Sequence, residues 1–224
     1  MSLVLLSGGL DSTVLATQLT QTHGPNHIEA LSVHYGQRHT RELQAAANVT
    51  EHLGIKHTTL DLSGLGTHLA SALTPTSNTG PIPQGAYNPT NMTQTVVPNR
   101  NAILLMIAVG IAQARAHTTV TTAVHTAEHH IYPDCRPEFI AAADQAARAG
   151  TGGAVSIHAP FAHQTKTDIT RLGAQLGAPL HLSWSCYNNA QHQCGTCGTC
   201  IERAEAFHAA GIPDPTTYTQ KATT

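Results

Sequence analysis

Two stretches of this chain hold residue types at spacings that could do chemistry. The first is Ser7-Gly8-Gly9-Leu10-Asp11-Ser12-Thr13. It leaves an apolar run, Leu3 to Leu6, and opens a helical pattern. Backbone N–H groups of such a turn face one concavity at a helix N-terminus, which is a ready site for phosphate-like anions. Gly8 and Gly9 permit positive φ and close approach. Ser7 and Ser12 add hydroxyl donors, and Asp11 could cap the helix or hold a metal bound to phosphate. The plain alternative is an ordinary glycine turn with an Asp cap. The string lacks the Gly-Lys-Ser/Thr ending of the loop used by kinases and GTPases, and it lacks the GxGxxG spacing of dinucleotide folds.

The second stretch contains Cys186, Cys194, Cys197 and Cys200, spaced by seven, two and two residues. Three cysteines at steps of three can curl round one ion, and a fourth from the preceding loop closes a tetrahedron. Four thiolates with no open position suit a structural zinc. An iron–sulfur cluster is the chemical runner-up; a redox dithiol needs two cysteines and not four. Gly195 and Gly198 allow tight turns between ligands, and His192 could replace one ligand. The fifth cysteine, Cys135, stands apart, and a buried small residue is its simplest reading.

These groups need elements to position them. Leu3–Leu6, Ile28–His34, His57–Leu62, Thr118–Val124 and Val155–Ala159 read as strands. Asp11–Thr22, Thr40–Leu53, Asn101–Ala116, Glu138–Ala149 and Thr167–Leu176 read as helices between them. Such alternation with short connections predicts an α/β fold, a five-stranded parallel sheet flanked by helices. Residues 63–98, rich in Thr, Pro, Asn and Gly, read as a long excursion with little regular structure. The domain expected from this pattern covers residues 1–180. A small zinc-bearing segment follows at 181–218 with a short helix near Ile201–Ala210, and 219–224 reads as a frayed tail. The helix at Asn101–Ala116 is apolar nearly all round, so it is a core helix or the face of a homodimer.

Composition removes several function classes. Charged residues are 11% and the net charge is −2, which excludes a polybasic nucleic-acid arm and an acidic solvating tail. Aromatics at 4% make a base-stacking surface improbable. No run approaches the roughly 18 apolar residues of a membrane span, and the start lacks the basic end and long apolar stretch of a signal peptide. A cytoplasmic protein without membrane or direct nucleic-acid partners is expected.

Three further strings precede a helix or follow a strand: His34–Leu43 (HYGQRHTREL), Val97–Asn101 (VPNRN) and Tyr132–Phe139 (YPDCRPEF). In a parallel sheet these lie near the carboxyl edge, where ligands bind. Arg38, Arg100 and Arg136 could converge there on phosphates or a carboxylate; a surface ion pair is the commoner fate of a lone arginine. The turn at Ser7–Thr13 resembles the SGGxDS loop of the ATP pyrophosphatase superfamily, whose adenine nucleotide alpha hydrolase-like fold is the one expected here. With YGQRHxxEL, VPNRN, YPDCRPEF, TKxDIxRLG at Thr165–Gly173, and WSCY with CGxC and a last Cys, the chain resembles the 7-cyano-7-deazaguanine synthase family from residue 3 to about 218.

The resemblance implies an ATP-dependent carbon–nitrogen ligase acting on 7-carboxy-7-deazaguanine and ammonia through an adenylated intermediate, with Mg²⁺ and Zn²⁺. Carried onto this sequence, Leu6, Ser7, Gly8, Gly9, Leu10, Asp11, Ser12, Thr13, Arg38 and Lys166 would bind ATP and its metal. Asp11, Ser12, Arg100 and Arg136 would be catalytic, and Cys186, Cys194, Cys197 and Cys200 would hold zinc. The alternatives are a related enzyme that stops at the amide or joins another amine, and a different ATP pyrophosphatase such as a tRNA thiolase. The chain departs from many relatives at His125 (for Asn), Glu128 (for Asp), Gly198 (for Asp) and Asn188-Asn189 (for a Gly pair). Substrate handling near His125 is the expected place of divergence.

Overall fold

A computed structural model describes residues 1–75, 80–125, 132–188, 190–220 and 222. Among them, five strands form one parallel sheet: β1 (Ser2–Leu5), β2 (Ile28–His34), β3 (Lys56–Asp61), β4 (Thr119–Thr121) and β5 (Ser156–His158). The spatial order is β3-β2-β1-β4-β5. The chain therefore winds outward from β1 to β3 and then returns to the other side of β1. That reversal opens a crevice beyond the carboxyl ends of β1 and β4.

Side-chain alternation explains why both faces are covered. Leu3 and Leu31 fall in one apolar cluster, with Leu105, Ala108, Val109 and Ile140; Val4 and Ala30 fall in another, with Val14, Leu15, Ala46, Ile169 and Phe207. Successive strand residues point to opposite faces, so a strand that is apolar throughout needs helices on both sides. One cluster takes in α4 (Arg100–Ala114) and α5 (Pro137–Gly150); the other takes in α1 (Leu10–His23), α2 (Arg41–Leu53), α6 (Lys166–Gln175) and α7 (Gly198–Ala210). The C-terminal segment thus shares the core of the main sheet through Phe207.

The excursion at 63–98 has more order than its composition suggests. Pro89–Thr95 forms α3, with Asn88 as N-cap accepting from the N–H groups of Thr90 and Asn91, and Ser63–Thr67 forms a 3-10 turn. The signal for α3 is local: Asn88-Pro89 starts the helix, and Asn88 and Asn91 form a capping box. Long-range contacts fix the rest. Gln84 bridges to Cys197, and Gly85 N–H donates to Thr196 O at 2.8 Å. The run Thr90–Ala114 is long and apolar enough to cross a membrane by composition. It is two helices, however, parted at Val96–Asn99, and the second buries Leu105, Ala108, Val109 and Ala112 on the sheet. Of the tail read as frayed, Thr219 N–H donates to Gln193 O, Gln220 N–H donates to Cys194 O, and Ala222 is buried. Backbone pairing with the cysteine segment holds Thr219 and Gln220.

The opposite edge of the sheet carries a buried carboxylate. Glu29 on β2 meets Arg115, the His117 Nε2 at 3.0 Å and the Lys56 Nζ at 3.3 Å. Burial alone would push the Glu29 carboxyl up, but the hydrogen bonds from His117 and Lys56 and the charge of Arg115 hold it below the usual carboxylate range. A lowered folded-state value means the stabilisation is complete above the ordinary carboxylate range and is lost as pH falls through the lower value. Glu29→Gln is expected to cost about 1–2 kcal/mol at neutral pH, because it weakens the buried hydrogen bond to His117 and removes the counter-charge of the more exposed Arg115 and Lys56. The gap to wild type should narrow at an acid pH below the ordinary carboxylate range. Urea unfolding at both pH values checks this; an equal gap at both would reject it.

Candidate functional site

The Gly-rich turn lies at the crevice, between β1 and α1. Ser7 Oγ and Ser12 Oγ are 3.1 Å apart, Gly9 N–H donates to Ser7 Oγ at 3.2 Å, and Thr13 Oγ1 donates to Gly9 O at 2.8 Å. Gly8 has φ +83, and a Cβ there would lie 2.1 Å from Glu42 O on α2. Glycine is what lets the turn lie flat on α2. On the other flank, Trp184 N–H donates to Gly8 O at 2.8 Å. Gly8 and Thr13 serve this geometry, whereas Leu6, Ser7, Gly9, Leu10, Asp11 and Ser12 face a cavity of about 320 Å³.

Asp11 does not cap α1: Gly9 is the N-cap and no side chain caps it. The Asp11 carboxylate turns instead to the cavity, with Oδ2 at 3.3 Å from Lys166 Nζ and 3.8 Å from His125 Nε2. Its Oδ1 is buried with no hydrogen-bond partner among the described residues. An acceptor left bare in this way fits a bound cation or donor. Lys166, the first residue of α6, also donates to Glu202 Oε2 on α7 at 2.7 Å. Burial works against its charge, yet Asp11 and Glu202 outweigh it and raise the ammonium above its usual value. Lys166 is therefore a fixed cation beside the turn.

Arg100 opens α4 on the opposite wall. Burial opposes its charge too, but Tyr35 and Cys135 beside it raise it further. The neighbouring Asn101 ties the VPNRN and YPDCR strings together. Its N–H donates to Asp134 Oδ2 at 2.9 Å, and its Nδ2 donates to Asp134 O and to Cys135 Sγ at 3.0 and 3.2 Å. Burial pushes the Cys135 thiol up to about 11, so it stays neutral and unreactive at pH 7. Tyr35, Tyr87, Tyr132 and Tyr187 complete an aromatic wall. The Tyr87 and Tyr187 hydroxyls are 3.0 Å apart, and Tyr132 Oη is 2.9 Å from Thr95 Oγ1. Burial raises all four phenols, so they are neutral hydrogen-bonding groups.

The expected convergence of three arginines is not what the structure places here. Arg38 is exposed, with Nε donating to Thr74 O at 2.9 Å and Nη1 to Gly80 O at 3.2 Å, and it pins the excursion. Arg136 is exposed at the start of α5. Neither lines the cavity; Arg100 does. Lone arginines bind whichever carbonyls or carboxylates lie nearest, and sequence position does not set that direction. His125 does reach the site, whereas Glu128 and Asn189 lie outside the described residues. Sequence reasoning missed His39, Glu42, Tyr187 and Glu202 as cavity residues. The first two stood inside the HYGQRHTREL string; Glu202 carried no signal apart from its place two residues after a cysteine.

The four cysteines meet as their spacing required. Cys186, Cys197 and Cys200 are buried, and the four sulfurs lie within 4.8 Å of one another. Cys194–Cys200 and Cys197–Cys186 are 3.9 and 4.0 Å apart. Zinc–sulfur bonds of about 2.3 Å at tetrahedral angles would set sulfurs about 3.8 Å apart. Hydrogen bonds with Cys186 and Cys200 hold Cys197 far below its usual value, and the bond with Cys197 pushes Cys186 up to about 12. Such a set can hold a metal ion; His192 is exposed and takes no part. Gly198 lets the Tyr87 ring pack against the start of α7: a Cβ would lie 2.5 Å from Tyr87 Cε1.

A parallel sheet ordered this way, with a glycine turn and a lysine–aspartate pair at its crevice, is an α/β protein with a fold of the ATP pyrophosphatase type. NMN synthetase from Francisella tularensis has the same fold, with TM-score 0.51 and 19% identity over 99% of this chain and 79% of that one. Residues 1–211 match the family model of queuosine biosynthesis protein QueC, and the chain belongs to that family. It is 46% identical to the 7-cyano-7-deazaguanine synthase of Brucella anthropi over 220 residues, 97% of this chain and 93% of the relative. The 7-cyano-7-deazaguanine synthase of Ruegeria pomeroyi is likewise 46% identical, over 97% and 94%.

Proposed function

We propose that this chain is an ATP-dependent ligase that converts 7-carboxy-7-deazaguanine and ammonia to 7-cyano-7-deazaguanine. The observation that carries the reading is the Asp11–Lys166 pair at the mouth of the Ser7–Ser12 turn, in a cavity whose other wall is aromatic. A carboxylate is inert to ammonia until one oxygen becomes a good leaving group, and nucleotidyl transfer supplies that. Ser7, Gly9 and Ser12 would cradle the polyphosphate through N–H and hydroxyl groups. Lys166 would neutralise charge that develops as pyrophosphate leaves. Arg100 would hold the substrate carboxylate or the leaving nucleotide oxygen. The tyrosines enclose a volume suited to a flat bicyclic base. After amide formation, a second nucleotidyl transfer would activate the amide oxygen; the C–O bond would break with that oxygen leaving on AMP, and loss of the two N–H protons would leave the nitrile.

Asp11, with Oδ1 bare, is the residue that would hold Mg²⁺, which when bound screens polyphosphate charge. Cys186, Cys194, Cys197 and Cys200 would hold Zn²⁺ in a closed, structural site. The test is to incubate purified protein with ATP, ammonium and 7-carboxy-7-deazaguanine and weigh the product. The nitrile mass is expected. An amide mass alone would mean the enzyme stops half-way, and no product would reject the reading.

A further inference from the structure

The same cavity holds a second set of titratable groups that no role above employs. His39 and Glu42 both line it, on the connection from β2 and the first turn of α2. His39 Nε2 lies 3.3 Å from Glu42 Oε2. The imidazole is 4% exposed, and its Nδ1 is buried with no hydrogen-bond partner among the described residues. Glu42 is itself fixed: its Oε1 accepts from Gln37 Nε2 at 2.8 Å. Gln37 is locked in turn, donating to Val33 O at 3.3 Å and accepting from Tyr35 N–H at 2.9 Å. The Tyr187 ring tilts against the imidazole with centroids 5.3 Å apart.

A carboxylate facing Nε2 makes that nitrogen the protonated one in the neutral ring, so the lone pair is on Nδ1. A buried lone pair with no protein donor is a cost unless a ligand supplies the donor. A carboxylate-oriented imidazole with its second nitrogen bare is the arrangement of a general base. His39 lines the same cavity as Ser7, Gly9 and Asp11, and its partner Glu42 belongs to the turn of α2 on which Gly8 packs.

We propose that His39 is the general base of the nitrogen-transfer step and that Glu42 is its positioning residue; this rests on the function proposed above. The ammonia lone pair forms the new C–N bond at the acyl carbon of the adenylate. The C–O bond to AMP breaks, and its electron pair leaves with the nucleotide. One N–H proton passes from the attacking nitrogen to His39 Nδ1, and Glu42 balances the resulting imidazolium. The products are the amide and AMP, and the imidazolium returns its proton to water. His39 takes that proton as the C–N bond forms, so the adduct collapses to the neutral amide as AMP, the better leaving group, departs.

The test compares wild type, His39→Gln and Glu42→Gln in two assays. Substrate-dependent exchange of labelled pyrophosphate into ATP reports activation before nitrogen enters. Product formation is then measured with ammonium and with hydroxylamine, whose conjugate acid gives up its proton far more readily. For His39→Gln we expect exchange within about twofold of wild type, ammonium-dependent product down about 100-fold, and hydroxamate down less than about tenfold. Glu42→Gln should show the same split with smaller losses, and it reads the same proposal if the first variant is insoluble. Parallel loss of exchange and both nucleophile reactions, or unchanged ammonium activity, would overturn the assignment. A wild-type enzyme that makes no product defeats the function itself, and that result is read before any variant.

Discussion

Asp11→Ala is expected to lower ATP-dependent product formation by about 10³-fold or more while the protein stays folded. The size follows from what the carboxylate does. One oxygen meets Lys166 and lies near His125, and the other has no protein partner. Removing it takes away both the anchor that orients the lysine and the oxygen free for a cation. The survival of the fold follows from what the carboxylate does not do. It is not the helix cap, and it packs in no apolar cluster. Lys166 keeps its 2.7 Å bond to Glu202, so the variant strands no unpaired buried ammonium. A melting temperature within about 3 °C of wild type is expected, since a substitution outside those roles costs little. Turnover within tenfold of wild type would remove Asp11 from the site.

Why that residue could be read from sequence, and others could not, has a physical basis. The Ser7–Thr13 turn and the cysteine cluster are local: their ligating atoms come from consecutive turns whose spacing fixes geometry. Strand and helix identities were legible for the same reason, because an apolar run such as Leu3–Leu6 or an amphipathic one such as Arg41–Leu53 carries its own period. The partners of Arg38 and Arg136 were not legible. A guanidinium on a long stem goes to whatever acceptor the tertiary fold presents, here the carbonyls of Thr74 and Gly80 for Arg38. The order within 63–98 was hidden likewise, since Gln84, Gly85 and Tyr87 gain their places from Thr196, Cys197 and Gly198, about a hundred residues on. Glu202 shows the same limit: only the docking of α7 on α6 brings it to Lys166.

That docking makes Cys197→Ser the variant with the largest expected effect on stability. Cys197 is fully buried and stands at the N-cap of α7, where no side chain caps the helix. The sulfurs of Cys186 and Cys200 close round it. The helix that it anchors carries Arg203, buried and bound to Ser183 Oγ at 2.8 Å and Leu180 O at 3.0 Å. One turn away from the cluster, Glu202 reaches Lys166. A serine hydroxyl is a poor ligand for a thiolate-seeking ion, so the variant should lose most of its bound metal. With the ion gone, the start of α7 loses its cross-link to the Cys186 loop, and the cost should be about 3–5 kcal/mol, or about 10 °C in melting temperature for a chain of this size. Elemental analysis of the purified variant and a thermal melt measure the two effects. Cys135→Ser is the control that should keep its metal, because that thiol bonds Asn101 and stands outside the cluster. Activity should fall along with stability in Cys197→Ser, and by more than global unfolding explains, because Glu202 loses its footing before the sheet melts. A Cys197→Ser protein with full metal content would show that other atoms hold the ion, and the link from the cysteine cluster through α7 to the nucleotide turn would be lost with it.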